Sequence, residues 1–218
     1  MGAAGATVVF TDRSDGDLSI HGDPDRLAAA RQAIVDRPWT WLRQVHGDTV
    51  HRVDHAGQHA GEVGDGAVTS CPGAPLAVQV ADCAPVAFTS PQGVIGVSHA
   101  GWRGLHAGVV EATVSAMRSL GATSIDAVLG PCIGPECYEF GAADLDALVE
   151  RFGDGVVGTT TEGSPSFDVP AAVSVVAGRL DVALDPSPSV CTACDPRYYS
   201  HRARGDSGRQ ALVAWLAP

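Results

Sequence analysis

Three separated segments each deliver one soft or borderline metal ligand. They are Gln-Val-His-Gly at Gln44–Gly47, Ala-Asp-Cys-Ala-Pro-Val at Ala81–Val86 and Ser-His-Ala-Gly-Trp-Arg-Gly at Ser98–Gly104, and the ligands are His46, Cys83 and His99. Two imidazoles and a thiolate can hold zinc with the fourth coordination position open, as in a catalytic rather than a structural site. The three are far apart in sequence, so no short-range motif supports them. The local setting does: each lies where a strand-like run meets Gly, Ala or Pro. A second chemistry stays open, with Cys83 as a nucleophile and His46 or His99 as its base. Asp82 either orients a histidine or a bound water, or caps a turn.

Other residues suit an anion. Arg103 follows Trp102 where a helix is expected to begin, and a guanidinium beside a helix N-terminus favours phosphate. The competing reading is a surface arginine stacked on Trp102. Arg202, Arg204 and Arg209 gather around a glycine turn near Tyr198, Tyr199 and His201, as a binding wall or a solvated face. Cys132 and Cys137 flank a Gly-Pro loop that fixes an irregular backbone. Cys191-Thr-Ala-Cys194 is a C-x-x-C match without a second pair or a thioredoxin-like setting, and reads as packed or pocket-wall thiols.

The elements that position these residues follow from periodicity. Thr7–Thr11 reads as a strand. Asp23-Pro24 starts a helix carrying Leu27, Ala30 and Ile34, which Arg37-Pro38 stops. Trp39–Val45 is strand-like, and Thr49–Val53 is expected to pair with it across the Gly47-Asp48 turn. The segment from Asp54 to Gly66 reads as a loop, and the histidines from His51 to His59 as solvated surface. Leu76–Ala81, Val86–Thr89 and Gly93–Ser98 are strands, which puts His99 in a strand-to-helix turn. One helix is expected from Gly104 to Leu120, with Leu105, Val109, Ala112, Ala116 and Leu120 on its buried face. Ile125–Leu129 is a strand and Ala142–Phe152 a helix. Gly153–Ser166 is a loop, Asp168 caps a helix over Val169–Leu184, and Gln210–Leu216 is the last strand. Strands joined pairwise by short turns, with helices between, suggest mixed sheets with helices packed outside.

Composition bounds the function. The 218 residues, 45% hydrophobic, read as a single domain over 1–218. No apolar run approaches the ~20 residues of a membrane span. The N-terminal Met-Gly-Ala-Ala-Gly-Ala has neither the basic start nor the apolar stretch of a leader, so the expected location is cytoplasmic and the six cysteines are expected to be reduced. The net charge of −11 argues against nucleic-acid and membrane partners. All 14 basic residues are arginine, which a GC-rich genome explains.

Five motifs occur in order: Gln-Val-His-Gly, Ala-Asp-Cys-x-Pro, His-Ala-Gly-Trp-Arg-Gly, Gly-Pro-x-Ile-Gly-x-x-Cys-Tyr-Glu and a late Ser-x-Arg…Gly-Arg. They stand at Gln44–Gly47, Ala81–Pro85, His99–Gly104, Gly130–Glu139 and Ser200–Arg209. Together they resemble the YfiH family, also called the laccase-domain or polyphenol oxidase family, whose members include purine nucleoside phosphorylases. The resemblance implies an α+β fold, a four-layer α-β-β-α sandwich with mixed sheets like the catalytic domain of cytotoxic necrotizing factor. It implies zinc on His46, Cys83 and His99, with copper as the alternative ion. It implies phosphorolysis of adenosine, inosine, guanosine and methylthioadenosine, with some adenosine deamination. Arg103 joins the metal trio in catalysis, and Gln44, Arg103, Cys132, His201 and Arg202 are the expected substrate contacts, in a monomer or weak homodimer. The rival readings are a cysteine hydrolase or amidase acting on peptidoglycan precursors and a copper phenol oxidase. Tyr198–Arg202 stands where the family has Phe-Phe-Ser-Tyr-Arg, so His201 introduces a titratable group. Phe140 replaces the usual Val.

Overall fold

The computed structural model describes residues 5–218. The first four residues of the segment read for a leader lie outside the described residues. In chain order the elements are β1 (Ala6–Phe10), α1 (Pro24–Ile34), β2 (Thr40–Trp41), β3 (Val50–Val53), β4 (Gly66–Thr69), β5 (Leu76–Val80), β6 (Ala84–Ser90) and β7 (Val94–Ala100). Then come α2 (Trp102–Ala107), α3 (Val109–Ser119), β8 (Asp126–Leu129), α4 (Ala142–Phe152), β9 (Val157–Thr159), β10 (Pro165–Phe167), α5 (Val169–Arg179), β11 (Ala183–Asp185), α6 (His201–Arg204) and β12 (Gln210–Leu216).

Two mixed sheets carry the fold. One has four strands in the order β1-β12-β5-β2, the other six in the order β11-β8-β6-β7-β4-β3, and β9 and β10 form a separate pair. Parallel pairs (β2 with β5, β3 with β4, β8 with β11) sit among antiparallel ones. The sheets face each other through Leu76, Val78, Leu212 and Ala214 on one side and Ala67, Ala87, Ile95 and Val97 on the other. The outer face of the four-stranded sheet is covered by α1, whose Leu27, Ala30 and Ile34 pack toward Trp39, Ala77 and Val213. Asp23 starts that helix by accepting from the amides of Asp25 and Arg26, with Pro24 behind it. The larger core lies under the other face of the six-stranded sheet, where Phe88, Val109, Val114 and Met117 meet Leu148, Phe167 and Val173. Strands β6 and β7 are covered on both faces and buried along their whole length, which is why they read as unbroken apolar runs.

Several expectations need correction. Only Thr40–Trp41 of the run up to Val45 is strand, and β3 pairs in parallel with β4 rather than folding back on β2. The cause is local. His46 sits at φ +61°, and the amides of Val45, His46 and Gly47 all donate to the Asp65 carboxylate. That turn carries the chain from one sheet to the other. The single helix after His99 is two, broken where Gly108 takes a left-handed φ of +104°. Consequently α3 buries Val109, Val110, Thr113, Val114 and Met117, a face rotated from the expected one. His99 is still inside β7, paired with Pro85. The helix after Asp168 ends at Arg179, and Ala183–Asp185 becomes an edge strand beside β8. The Gly153–Ser166 loop contains most of the β9–β10 hairpin.

Candidate metal centre and its cleft

The three expected ligands come together from three different places. His46 follows the short β2, Cys83 lies in the crossing from β5 to β6, and His99 is on β7. Cys83 Sγ is 3.6 Å from His46 Nε2, and the two imidazole rings meet edge-on with centroids 4.7 Å apart. One donor atom from each residue falls within 4.8 Å of the others. Gly101 makes the approach possible, because a Cβ there would lie 2.6 Å from His46 Cδ2 and 3.0 Å from Cys83 Sγ.

Asp65 organises the cluster. Its carboxylate is wholly buried. One oxygen accepts from the His46 amide at 2.9 Å and from His99 Nδ1 at 2.8 Å. The other accepts from the amides of Val45 at 3.2 Å and Gly47 at 2.8 Å. Binding Nδ1 leaves His99 Nε2 for the cluster, the carboxylate–histidine arrangement that orients metal ligands. Burial alone would raise the Asp65 pKa, but these bonds hold it below the usual carboxylate value. Burial would also raise the Cys83 thiol; the charge on His99 and the bonds from both imidazoles bring it down to about 6. His99 moves the other way, to about 9, because Cys83 and Asp65 outweigh its desolvation. Both shifts favour a thiolate on Cys83 beside a protonated His99 when no ion is bound. The donor set fits an ion: two imidazole nitrogens and one readily ionised thiol sulfur within 4.8 Å of one another.

The cluster stands at a cavity of about 400 Å³ whose walls include Arg43, Gln44, Gln79, Asp82, Trp102, Tyr138, His201, Arg202 and Arg209. That volume falls within the range of small-molecule sites. His201 and Arg202 line this cleft. Arg202 also lies over the Tyr138 ring, 4.6 Å from its centroid. Gln44 lines the cavity, but its amide is engaged on both sides, donating to the Gln79 carbonyl at 2.7 Å and accepting from the Gln79 amide at 2.8 Å. Arg103 lies outside the cavity wall, with its guanidinium 4.1 Å from the centroid of the Trp102 ring. Cys132 is buried behind the site beside Ser189 Oγ, and burial pushes its thiol up to about 12. Asp82 proves to be an anchor, accepting from Thr192 Oγ1 and from the Arg202 amide, both at 2.7 Å. Asp65, Arg43, Gln79 and Tyr138 escaped the sequence reading; for Asp65 the available signal was an acid between two glycines at the start of a buried strand. Away from the cleft, His51 and His59 stack with centroids 4.6 Å apart beside Glu62 and are half-buried rather than solvated.

A two-imidazole, one-thiolate cluster in the wall of a cleft of small-molecule size defines a candidate metalloenzyme. The chain belongs to the family described as multi-copper polyphenol oxidoreductase laccase, whose sequence profile matches residues 10–217. A purine nucleoside phosphorylase of Mycobacterium tuberculosis is 37% identical over 206 residues, covering 93% of this chain and 81% of that one. A purine nucleoside phosphorylase of Xylella fastidiosa is 40% identical over 196 residues, covering 81% and 71%. Among solved structures, YlmD from Geobacillus stearothermophilus superposes with a TM-score of 0.83 at 26% identity, covering 99% of this chain and 93% of that one. The YfiH protein of Bacillus licheniformis gives 0.81 at 25%, covering 97% and 92%. The resemblance to YfiH proteins is borne out.

Proposed function

We propose that the chain is a purine nucleoside phosphorylase that carries zinc on His46, Cys83 and His99 and acts as one catalytic unit. The observation that carries the reading is the joining, in one cleft, of the donor cluster with the arginine-bearing wall of Arg43, Arg202 and Arg209; the names of its relatives point the same way. Phosphorolysis transfers the ribose C1′ from the purine nitrogen to a phosphate oxygen. The bond to the base breaks with its electrons leaving on the purine, and positive charge develops on the sugar. The enzyme must hold a dianion beside that carbon and keep water out. Arg202 and Arg209 supply the countercharge for phosphate. Tyr138 and Trp102 offer aromatic faces for the base. Asp65 keeps both histidines oriented. Zinc, when bound, supplies a Lewis-acid charge that polarises an oxygen ligand and lowers the pKa of water, the capacity that adenosine deamination at the same site requires. Phosphate contact by Arg103 and base contact by Gln44 or Cys132 belong to this proposal only as adjustments on substrate binding. The proposal includes a cytoplasmic monomer or weak homodimer without nucleic-acid or membrane partners; the net charge of −11 supports the lack of nucleic-acid partners.

The test is phosphate-dependent release of free base from adenosine and inosine by protein of measured metal content. Base and ribose 1-phosphate that appear only with phosphate support the reading; no release from zinc-loaded protein overturns it. A second reading, a cysteine hydrolase acting on cell-wall precursors, draws on the Asp65–His99–Cys83 chain of contacts and on the lowered Cys83 pKa. The likeness of the fold to the cytotoxic necrotizing factor catalytic domain is also part of the proposal, drawing on the order helix, sheet, sheet, helices. Copper phenol oxidation would use the same two-histidine, one-cysteine donor set, and metal analysis of the purified protein separates it from zinc.

A further inference from the structure

Outside the cleft, four potential ligands converge from two loops. Glu136 and Cys137 lie in a single 3-10 turn after the Gly-Pro segment, and Cys191 and Cys194 in the loop before α6. Their donor atoms all fall within 4.8 Å of one another. Cys137 Sγ is 3.4 Å from Cys194 Sγ, and Cys194 Sγ is 3.6 Å from a Glu136 carboxylate oxygen. The Gly134 amide donates to Cys191 Sγ at 3.2 Å; burial raises the Cys191 thiol, and this bond opposes it in part. A Cβ at Gly134 would collide with the Glu136 carboxylate, so the glycine lets that side chain fold back toward the sulfurs. The loops are already zipped by the Cys132 amide on the Val190 carbonyl and the Thr192 amide on the Cys132 carbonyl. All four cysteines in this region are free thiols.

We propose that Glu136, Cys137, Cys191 and Cys194 form a second zinc site, structural in kind, that staples the Gly130–Cys137 loop to the loop before α6. Three thiolates and one carboxylate complete a four-coordinate shell, which leaves no open position for substrate. None of the four lines the cleft, but Thr192, between the two cysteines, bonds Asp82, and Asp82 adjoins Cys83 and holds the Arg202 amide. The ion would fix the wall that carries Arg202.

The experiment is zinc stoichiometry by mass spectrometry after dialysis of the full chain against zinc chloride. Wild-type protein should hold about two equivalents, the double variant His46→Ala/Cys83→Ala about one, and that variant with Cys194→Ala added close to none. A His46→Ala/Cys83→Ala protein that binds no zinc, or zinc that survives Cys194→Ala, overturns the proposal. So does an intact mass short of two hydrogens from a Cys137–Cys194 disulfide in freshly purified, metal-free protein. Should the double variant misfold, cobalt titration of wild-type protein still decides. Two saturating phases, one with the charge-transfer intensity of three thiolates and one with that of a single thiolate, support it; a single-thiolate phase alone refutes it. The result is independent of whether the cleft is a phosphorylase site.

Discussion

Asp65→Asn removes one charge and no volume, and its effect can be worked out from the four bonds that the carboxylate accepts. Each oxygen serves two donors, His46 N and the buried His99 Nδ1 on one and Val45 N and Gly47 N on the other. Whichever oxygen becomes an amide nitrogen then faces two N–H groups it cannot accept from. The three amides are only part-buried, so each donor left unpaired costs about 1 kcal/mol, the low end for a buried group, and the loss of stability is about 1–2 kcal/mol. If the amide nitrogen turns toward His99, the ring escapes by changing tautomer, with Nδ1 accepting and Nε2 protonated. A protonated Nε2 cannot ligate a metal, and loss of such a supporting partner typically costs 10–100-fold in metal affinity. Urea unfolding would measure the first quantity and competition with a chromophoric zinc chelator the second. An Asp65→Asn protein with wild-type unfolding midpoint and zinc affinity unchanged to within about threefold would refute the view that Asp65 builds the site.

Other outcomes follow from the same geometry. Gly101→Ala should displace His46 and Cys83, lowering zinc affinity while costing about 1–3 kcal/mol of stability, as read by the same two assays. Alkylation of Cys83 by iodoacetamide in chelator-treated protein should rise with pH around 6 rather than 9, because the thiol is ionised above its lowered pKa while His99 stays protonated up to about 9. A rate that climbs only above pH 8 would contradict that pairing. Phe167→Ala, in the core beneath the six-stranded sheet, should cost about 3–5 kcal/mol in urea unfolding and leave the zinc stoichiometry of the cleft unchanged.

The sequence is legible where one residue type does one local job. The Asp23-Pro24 start of α1, all of α4 and all of β12 are set by caps and periodicity within a few residues. His46, Cys83 and His99 can be proposed because ligand chemistry is a property of the side chain itself. What cannot be read is long-range. Residues Asp65 and His46 meet because one carboxylate gathers three successive amides, and nothing within a short window announces that. The true partner of β3 is hidden because a turn motif specifies a reversal, not which sheet the chain enters afterwards. The break at Gly108 is hidden because a single glycine inside an amphipathic run is often tolerated. The C-x-x-C pair is weak on its own for want of a second pair, and its companions, Glu136 and Cys137, come from a loop 57 positions away for Cys137 and Cys194.

The crossing of the chain between its two sheets has a thermodynamic consequence. His46 follows a strand of one sheet, His99 belongs to the other, and Cys83 sits on the link between them. A chain in which only one sheet has formed has no site for the ion. Metal bound to the native state alone adds RT ln(1 + [M]/Kd) to the unfolding free energy, about 2.7 kcal/mol when free metal is a hundred times Kd. If the cluster holds the proposed ion, metal supply becomes a variable of the folding equilibrium, and starvation of metal would remove folded molecules as well as their activity.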